Sequence, residues 1–447
     1  MSTADPEAPE PDATAGPRRS LLLDLGPFRA SRHFTWMWIG ALVTGIGNTL
    51  TSVAVGLHVY ELTGSTFAVS MVGVIALLPT LWAGLYGGTI VDRFDRRRVA
   101  LASAVLAWLS TAGIALLAWL GQETIWSLYL LSAVNTIGAT LVGASRQAMI
   151  PNLIPAAMLP AAGALNGMSM GLVITVGPML AGLLVAHGGF AWTYTLDLLL
   201  FCGSFLGLAA LPPMPPEPGA ETSSWAAIRQ SFAYVRATPV VAMSFVVDIV
   251  AMTFGNLRSL YPALGAVVLG GGAITAGVLA AAMAVGAVVC SLFSGRIVTW
   301  RRHGRAVNLA VLAYGGFTIG MGVVVLMVHL GIWPGGAGSV EHANRSALAV
   351  ALLMLFGMGA SDNVSAIFRN TILQQAVPDS IRGRMQGIYI MVVTGGPRIG
   401  DAFVGLAALL AVWAPPLLGG IVLVAVVAAL VVRVPAFHRY DASSLAA

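Results

Sequence analysis

Gly88-Thr89-Ile90-Val91-Asp92-Arg93-Phe94-Asp95-Arg96-Arg97-Arg98 sets two acids and four arginines in a short bridge between two apolar runs, 65–90 and 98–121. Charge so dense stands out in a chain of which 57% is hydrophobic and 9% charged. A soluble domain carries about a quarter charged residues. A chain of 447 residues this apolar would expose more hydrocarbon than water tolerates. The bridge therefore reads as a short polar connection between two membrane spans, with lipid as the solvent of the chain.

Apolar runs continue on either side of it, at about 34–60, 125–147, 158–186, 190–211, 239–267, 273–298, 306–332, 346–368, 384–411 and 415–436. Each is long enough for a spanning helix of ~20 residues, which predicts twelve transmembrane helices. One substantial break, at 212–238, holds Pro212, Pro213, Pro215, Pro216 and Pro218, then a mixed segment that reads as a short amphipathic helix. The expected organisation is a disordered tail (1–32), a six-helix bundle (33–211), a linker (212–238), a second six-helix bundle (239–436) and a second tail (437–447). The early residues are charged and Pro-rich and no small-residue cleavage site follows the first run, so that run is expected to stay as a span.

Orientation follows from the arginines. They gather before span 1, between spans 2 and 3, after span 4, in the linker, between spans 8 and 9 and spans 10 and 11, and after span 12. The alternate loops hold Arg345 and little else basic. Both termini are thus expected on the cytoplasmic side of the membrane. Net charge is +5 without a single Lys, and the arginines lie in scattered loops, which does not make the clustered face of a nucleic-acid reader. Cys202 and Cys290 sit in apolar runs, without disulfide or metal-ligand spacing. Zinc-site, nucleophile-elbow and phosphate-loop patterns are missing. The expectation is a monomeric non-enzyme without cofactor, driven by an ion gradient or working as a facilitator.

The two halves echo each other, as duplicated transporters do. Arg146 precedes Pro155 by nine residues, and Arg369 precedes Pro378 by nine. Gly177-Pro178-Met179-Leu180-Ala181-Gly182 parallels Gly396-Pro397-Arg398-Ile399-Gly400-Asp401. The opening stretch has a weaker counterpart in Gly295 and Thr299-Trp300-Arg301-Arg302.

Physically, Gly88 would let two helices approach closely. Asp92, at a helix end, can accept from a neighbouring helix N-terminus or an arginine. Arg93, Arg96 and Arg97 would anchor the loop, and a topology anchor without a gating role is the simpler alternative. The pattern Gly88, Asp92, Arg93, Arg96, Arg97 resembles the signature of the major facilitator superfamily, with Asp95 where that family usually has Gly. The resemblance, which covers all twelve spans, implies two six-helix bundles related by a pseudo-two-fold axis along the membrane normal. It also implies that this motif latches the halves on the cytoplasmic side in the outward-facing state.

Ala191-Trp192-Thr193-Tyr194, Arg258-Ser259-Leu260-Tyr261-Pro262-Ala263-Leu264, Ser294-Gly295-Arg296 and Arg382-Gly383-Arg384 resemble the branch that contains the bacterial enterobactin exporter. That resemblance implies proton-driven export of a siderophore or related secondary metabolite, and the branch shades into macrolide and multidrug exporters. Gly177, Pro178 and Gly182 partly match the antiport motif of exporters, with Ala181 in place of a Gly; a kinked, small-residue helix interface is the alternative.

Ionisable residues inside spans are costly in hydrocarbon. Asp248 and Asn135 fall near the midplane of spans 7 and 4, Asn48 near that of span 1, and Asp362 lies in span 10. In the resembled family these four spans line the central cavity. Asp248 and Asp362 are the candidates for carrying a proton, against the alternative of carboxylates satisfied by neighbouring donors. Arg258 could meet an anionic solute or snorkel to headgroups. Arg398 and Asp401, three apart, could line the cavity or neutralise each other.

Overall fold

A computed structural model describes residues 25–215, 229, 233–293, 300–339, 341–377, 379–438 and 440, leaving aside the side chains of Leu85, Asp92 and residues 379–384, 386, 387 and 390. Tail residues 1–24 and 441–447, linker residues 216–228, Ser294-Gly295-Arg296, Pro378 and Arg439 lie outside the described residues, as do the side chains of Asp92, Arg382 and Arg384. The described residues are helical, without strands. We number the spans α1 Arg32–Thr63, α2 Thr66–Arg93, α3 Arg96–Leu120 and α4 Ile125–Leu153. Leu159–Ala209 is a single run of 51 residues broken by Gly189 at φ 76° and ψ 179°. At ~1.5 Å per residue it is more than twice the thickness of a ~30 Å core, so it makes two crossings, α5 (159–188) and α6 (190–209). The second half holds α7 Pro239–Gly255, α8 Gly272–Leu292, α9 His303–His329, α10 Arg345–Ala376, α11 Asp379–Ala408 and α12 Ala414–Arg433.

Ten stretches are long and apolar enough to cross a membrane. Division at Gly189 adds one crossing, and α11, less apolar but 30 residues long, accounts for the twelfth. The ends are set by local chemistry. Ser31, Ser65, Asp95 and Asn344 accept from backbone N–H groups three residues on, and Thr124 with Ser127 makes a capping box. Gly64 and Gly121 end α1 and α3 in the left-handed region.

The tails are shorter than expected. Gly26–Ala30 is a short helix, and Phe28 packs on Phe34 and Trp38. At the other terminus Pro435–His438 is helical, with Phe437 buried against the start of α9. Both segments have an aromatic residue to bury, which a polarity-based boundary overlooks. The end of the linker is likewise ordered: the Tyr234 hydroxyl donates to the Ala376 carbonyl at 2.6 Å.

The halves meet along α2–α11 and α5–α8, tightly at one end and loosely at the other. Far from the 92–98 bridge, a Cβ on Gly73 of α2 would collide with the Asp401 carboxylate of α11. A Cβ on Gly182 of α5 would lie 2.6 Å from the Ala273 carbonyl of α8, and one on Gly277 would lie 2.5 Å from the Pro178 carbonyl. Backbones this close require residues without side chains. Further along α5 a Cβ on Gly171 would meet Val288 at an ordinary 3.4 Å, and one on Gly167 or Gly163 would meet nothing. Along α2, Gly84 and Gly88 also face open space. The cleft between the halves is thus closed at the end away from the bridge and splayed at the bridge end.

Candidate functional site

The ion pairs of the second half among the described residues form one buried group. Asp248, nine residues into α7, forms an ion pair with Arg369 of α10, and Arg369 also lies 3.7 Å from Asp362. Asp248 and Arg369 are 2% and 4% exposed, whereas the Asp362 side chain keeps 31% of its surface. The helix explains the assembly. Asp362, Ser365 and Arg369 recur at i, i+3 and i+7, on one face of α10, and α10 continues to Ala376. Arg369, which the sequence suggests as a loop residue between spans 10 and 11, is therefore inside the span. Two carboxylates share one guanidinium, so with both ionised the group has a net charge of −1, and one bound proton makes it neutral. Among the described residues, one oxygen of Asp248 and the Nε of Arg369 have no hydrogen-bond partner.

Among the described residues the first half has no such group at the equivalent place. Arg146, the repeat partner of Arg369, donates to the Ser204 hydroxyl at 2.6 Å. Asn135 turns away from the cleft: its amide donates to the Ala107 carbonyl (3.2 Å) and the Thr111 hydroxyl (3.1 Å), both on α3. It holds a helix pair inside the bundle, because an amide in hydrocarbon takes the nearest backbone acceptor. Asn48 is half-buried on α1, one residue before Thr49, which packs against Gly177. Asp197 on α6 is buried and accepts from Thr51 at 2.6 Å.

Asp401 does not pair with Arg398. Among the described residues the ion pairs are those of Arg369 and one between His58 and Glu123. The Asp401 carboxylate instead accepts from Ser259 at 2.5 Å and from Asn256 at 3.4 Å. It can do so because α7 stops at Gly255: Asn256 leaves the helical region and Arg258–Leu260 forms a 3-10 turn. Arg398 is half-buried and Arg258 exposed, so the cationic end of this junction has no carboxylate within ion-pair distance. Asp401, Ser259 and Gly73 together seal the closed end of the cleft.

The span-5 glycines lie on both seams. A Cβ on Gly177 would meet Thr49 of α1 at 2.8 Å, and Gly182 packs across the halves on Gly277. Gly177, Pro178 and Gly182 all lie within α5, and the non-helical residue of the run, Gly189, is the reversal between α5 and α6.

In the bridge, Arg93 is exposed, Arg96 donates to the Ala148 carbonyl at 3.4 Å, and Arg97 donates to those of Leu208 (3.3 Å) and Ala209 (2.9 Å). Cations thus sit on the C-terminal carbonyls of α4 and α6, where the helix dipole favours them. Gly88 makes no close helix approach in this conformation, since the halves are splayed there. Asp95 has a role the sequence reading missed. It caps α3 through Arg98 N (2.9 Å) and accepts from Met214 N at 3.0 Å, so it ties the bridge to the end of the first half. Its φ of −54° is ordinary, and no glycine is needed. Asp95→Ala should therefore cost about 1–2 kcal/mol of stability, read as a lower Tm of the purified protein; an unchanged Tm would contradict the cap.

The family described as transmembrane secretion effector, of the MFS group, matches residues 23–447. Curated relatives include the enterobactin exporters EntS of Citrobacter koseri and Salmonella typhimurium, each 28% identical over 389 residues, 87% of this chain and 88% of theirs. Among solved structures, a POT family transporter in complex with 5-aminolevulinic acid superposes with a TM-score of 0.71 at 13% identity, over 91% of this chain and 97% of that one. A bacterial homologue of the iron transporter ferroportin in the inward-facing state gives 0.65 at 12%, over 89% and 98%. The inward-open xylose transporter XylE of E. coli gives 0.63 at 15%, over 89% and 94%. At such identities these structures speak for the fold alone.

Proposed function

Since this chain belongs to the transmembrane secretion effector family of the major facilitator superfamily, matched over residues 23–447, we propose that it exports a siderophore or related secondary metabolite in exchange for protons. The observation that carries the proton part is the Asp248–Arg369–Asp362 group: two acids on one guanidinium, with Asp362 partly open. The curated relatives, named as enterobactin exporters, support the substrate class. The splayed bridge end supports alternating access, in which the halves rock about the buried group and the sealed end opens in turn. On this reading the bridge end and both termini are cytoplasmic, and the protein works in the bacterial inner membrane.

Proton uptake by Asp362 would weaken its hold on Arg369 and leave the guanidinium to Asp248. That change of partner is the bistable element the gradient biases. In inverted vesicles, Asp362→Asn, which leaves no carboxyl to take up the proton, should abolish proton-driven siderophore accumulation, while exchange of labelled for unlabelled substrate continues. Asp248→Asn should do the same. Coupling unchanged in both variants would remove the proton role.

A macrolide or drug substrate is the second reading. Its support is the apolar lining of the cleft between α2, α7 and α11, where Leu77, Leu81, Ile249, Met391 and Ile399 offer hydrocarbon to an amphipathic drug. A deletion strain that still secretes its siderophore but becomes antibiotic-sensitive would decide for it.

A further inference from the structure

The repeat places arginines after span 2 and before span 9, and the two sets are used differently. In the first half Arg96 and Arg97 are engaged with helix carbonyls. In the second half Arg301, Arg302 and Arg305 have, among the described residues, no side-chain hydrogen bond and no ion pair. They line an open cavity of ≈560 Å³ together with Trp300 and Leu309.

Three uncompensated guanidiniums around one cavity call for an anion, and their planar forks suit the oxygens of a phosphate. The surroundings specify which kind. Trp300 is 56% exposed and Leu309 44% exposed, the amphipathic and apolar groups that favour a membrane interface. Arg305, Leu309, Ala313 and Gly316 form one exposed stripe along α9, at the i+4 and i+3 steps of a helix face. From Arg305 to Gly316 the stripe runs ~16 Å, close to the depth of one leaflet in a ~30 Å core. Its last member faces open space, since a Cβ on Gly316 would meet nothing. Cations at the head, an aromatic beside them and a shallow apolar track below match a phosphate headgroup with its acyl chain. A free phosphate would need only the cations.

We propose that this corner of the second half binds an anionic phospholipid, with its phosphate among Arg301, Arg302 and Arg305 and an acyl chain along Leu309, Ala313 and Gly316. The site is separate from the cleft between the halves and does not depend on which solute is carried.

Native mass spectrometry of the full chain, incubated in detergent with phosphatidylglycerol or phosphatidylcholine, tests it. Phosphatidylglycerol should be retained selectively, and retention should weaken by about fivefold for each arginine removed across Arg305→Gln and the triple variant Arg301→Gln/Arg302→Gln/Arg305→Gln. Arg305→Gln serves alone if the triple variant does not fold. Leu309→Gln, with all three cations in place, should also weaken retention, whereas Arg433→Gln, a control cation outside the cavity, should not. Retention unaffected by Arg305→Gln would overturn the proposal, as would phosphatidylcholine held as well as phosphatidylglycerol. Full displacement by equimolar inorganic phosphate would also overturn it, since the occupant would then be a free anion.

Discussion

Arg369→Met should destabilise the protein by about 3–5 kcal/mol. The loss comes from what is left behind. Asp248 is 2% exposed, so without the guanidinium its carboxylate is an uncompensated charge in low dielectric, with Asp362 as a like-charged neighbour. The triple variant Arg369→Met/Asp248→Asn/Asp362→Asn removes the whole group and should regain most of the stability, because a buried ion pair and its neutral replacement differ little. Arg369→Lys should fall between, since an ammonium cannot present two separate edges to two acids. Thermal unfolding in detergent, compared across the four proteins, measures this. If Arg369→Met unfolded at the parent temperature, the charges would not be coupled as described.

Gly73→Val should invert the accessibility of the cleft. The new side chain would overlap the Asp401 carboxylate, which is held in place by Ser259 and Asn256. Overpacking of a tight contact costs about 1–3 kcal/mol. Here the strain falls on one conformation only, so it shifts the balance between closed and open by roughly 5–150-fold. Gly277→Val, on the α5–α8 seam, should act in the same direction. The measurement is the reaction of Leu81→Cys, in a background with Cys202 and Cys290 replaced by alanine, with a membrane-impermeant thiol reagent applied from either side. The parent should label from the bridge side; Gly73→Val should label from the opposite side. Gly88→Val enters open space and should leave the parent pattern intact. Labelling from the bridge side in both glycine variants would mean that the sealed end is not a gate.

The sequence announces the architecture because its solvent is lipid. Apolar run lengths and arginine spacing give twelve crossings in two halves, and the α5–α6 division at Gly189 falls between the runs 158–186 and 190–211. Side-chain destinations were less legible. Asn135 lies at cavity depth but on a face that turns toward α3, and depth along a helix says nothing of rotation about it. Arg369 was hidden by a boundary, since the hydropathy of span 10 fades before the helix does. Its seven-residue spacing from Asp362, together with its repeat partner Arg146 inside span 4, was the available signal. The sequence offers Asp401 either the cavity or Arg398 on its own helix, and only the break of α7 at Asn256 brings Ser259 to it.

Gly189 has a consequence for where the chain can be interrupted. Four of the reversals at the sealed end are short: residues 64–65, 121–124, the single residue 189, and 409–413. The connections 256–271 and 330–344 are the long ones; the first is mostly short helical turns, and the second is fastened to it by Asn344 N to the Leu269 carbonyl and by Gly271 N to that of Ser339. Of these two, 256–271 is largely buried and 330–344 largely exposed, so a surface tag, a protease site or an antibody approaching that face meets chiefly 330–344. An insertion at 189 would put slack between α5 and α6, so that a tilt of α5 at the Gly182 seam no longer reaches its neighbour. The residue that removes a loop also makes two crossings a single lever.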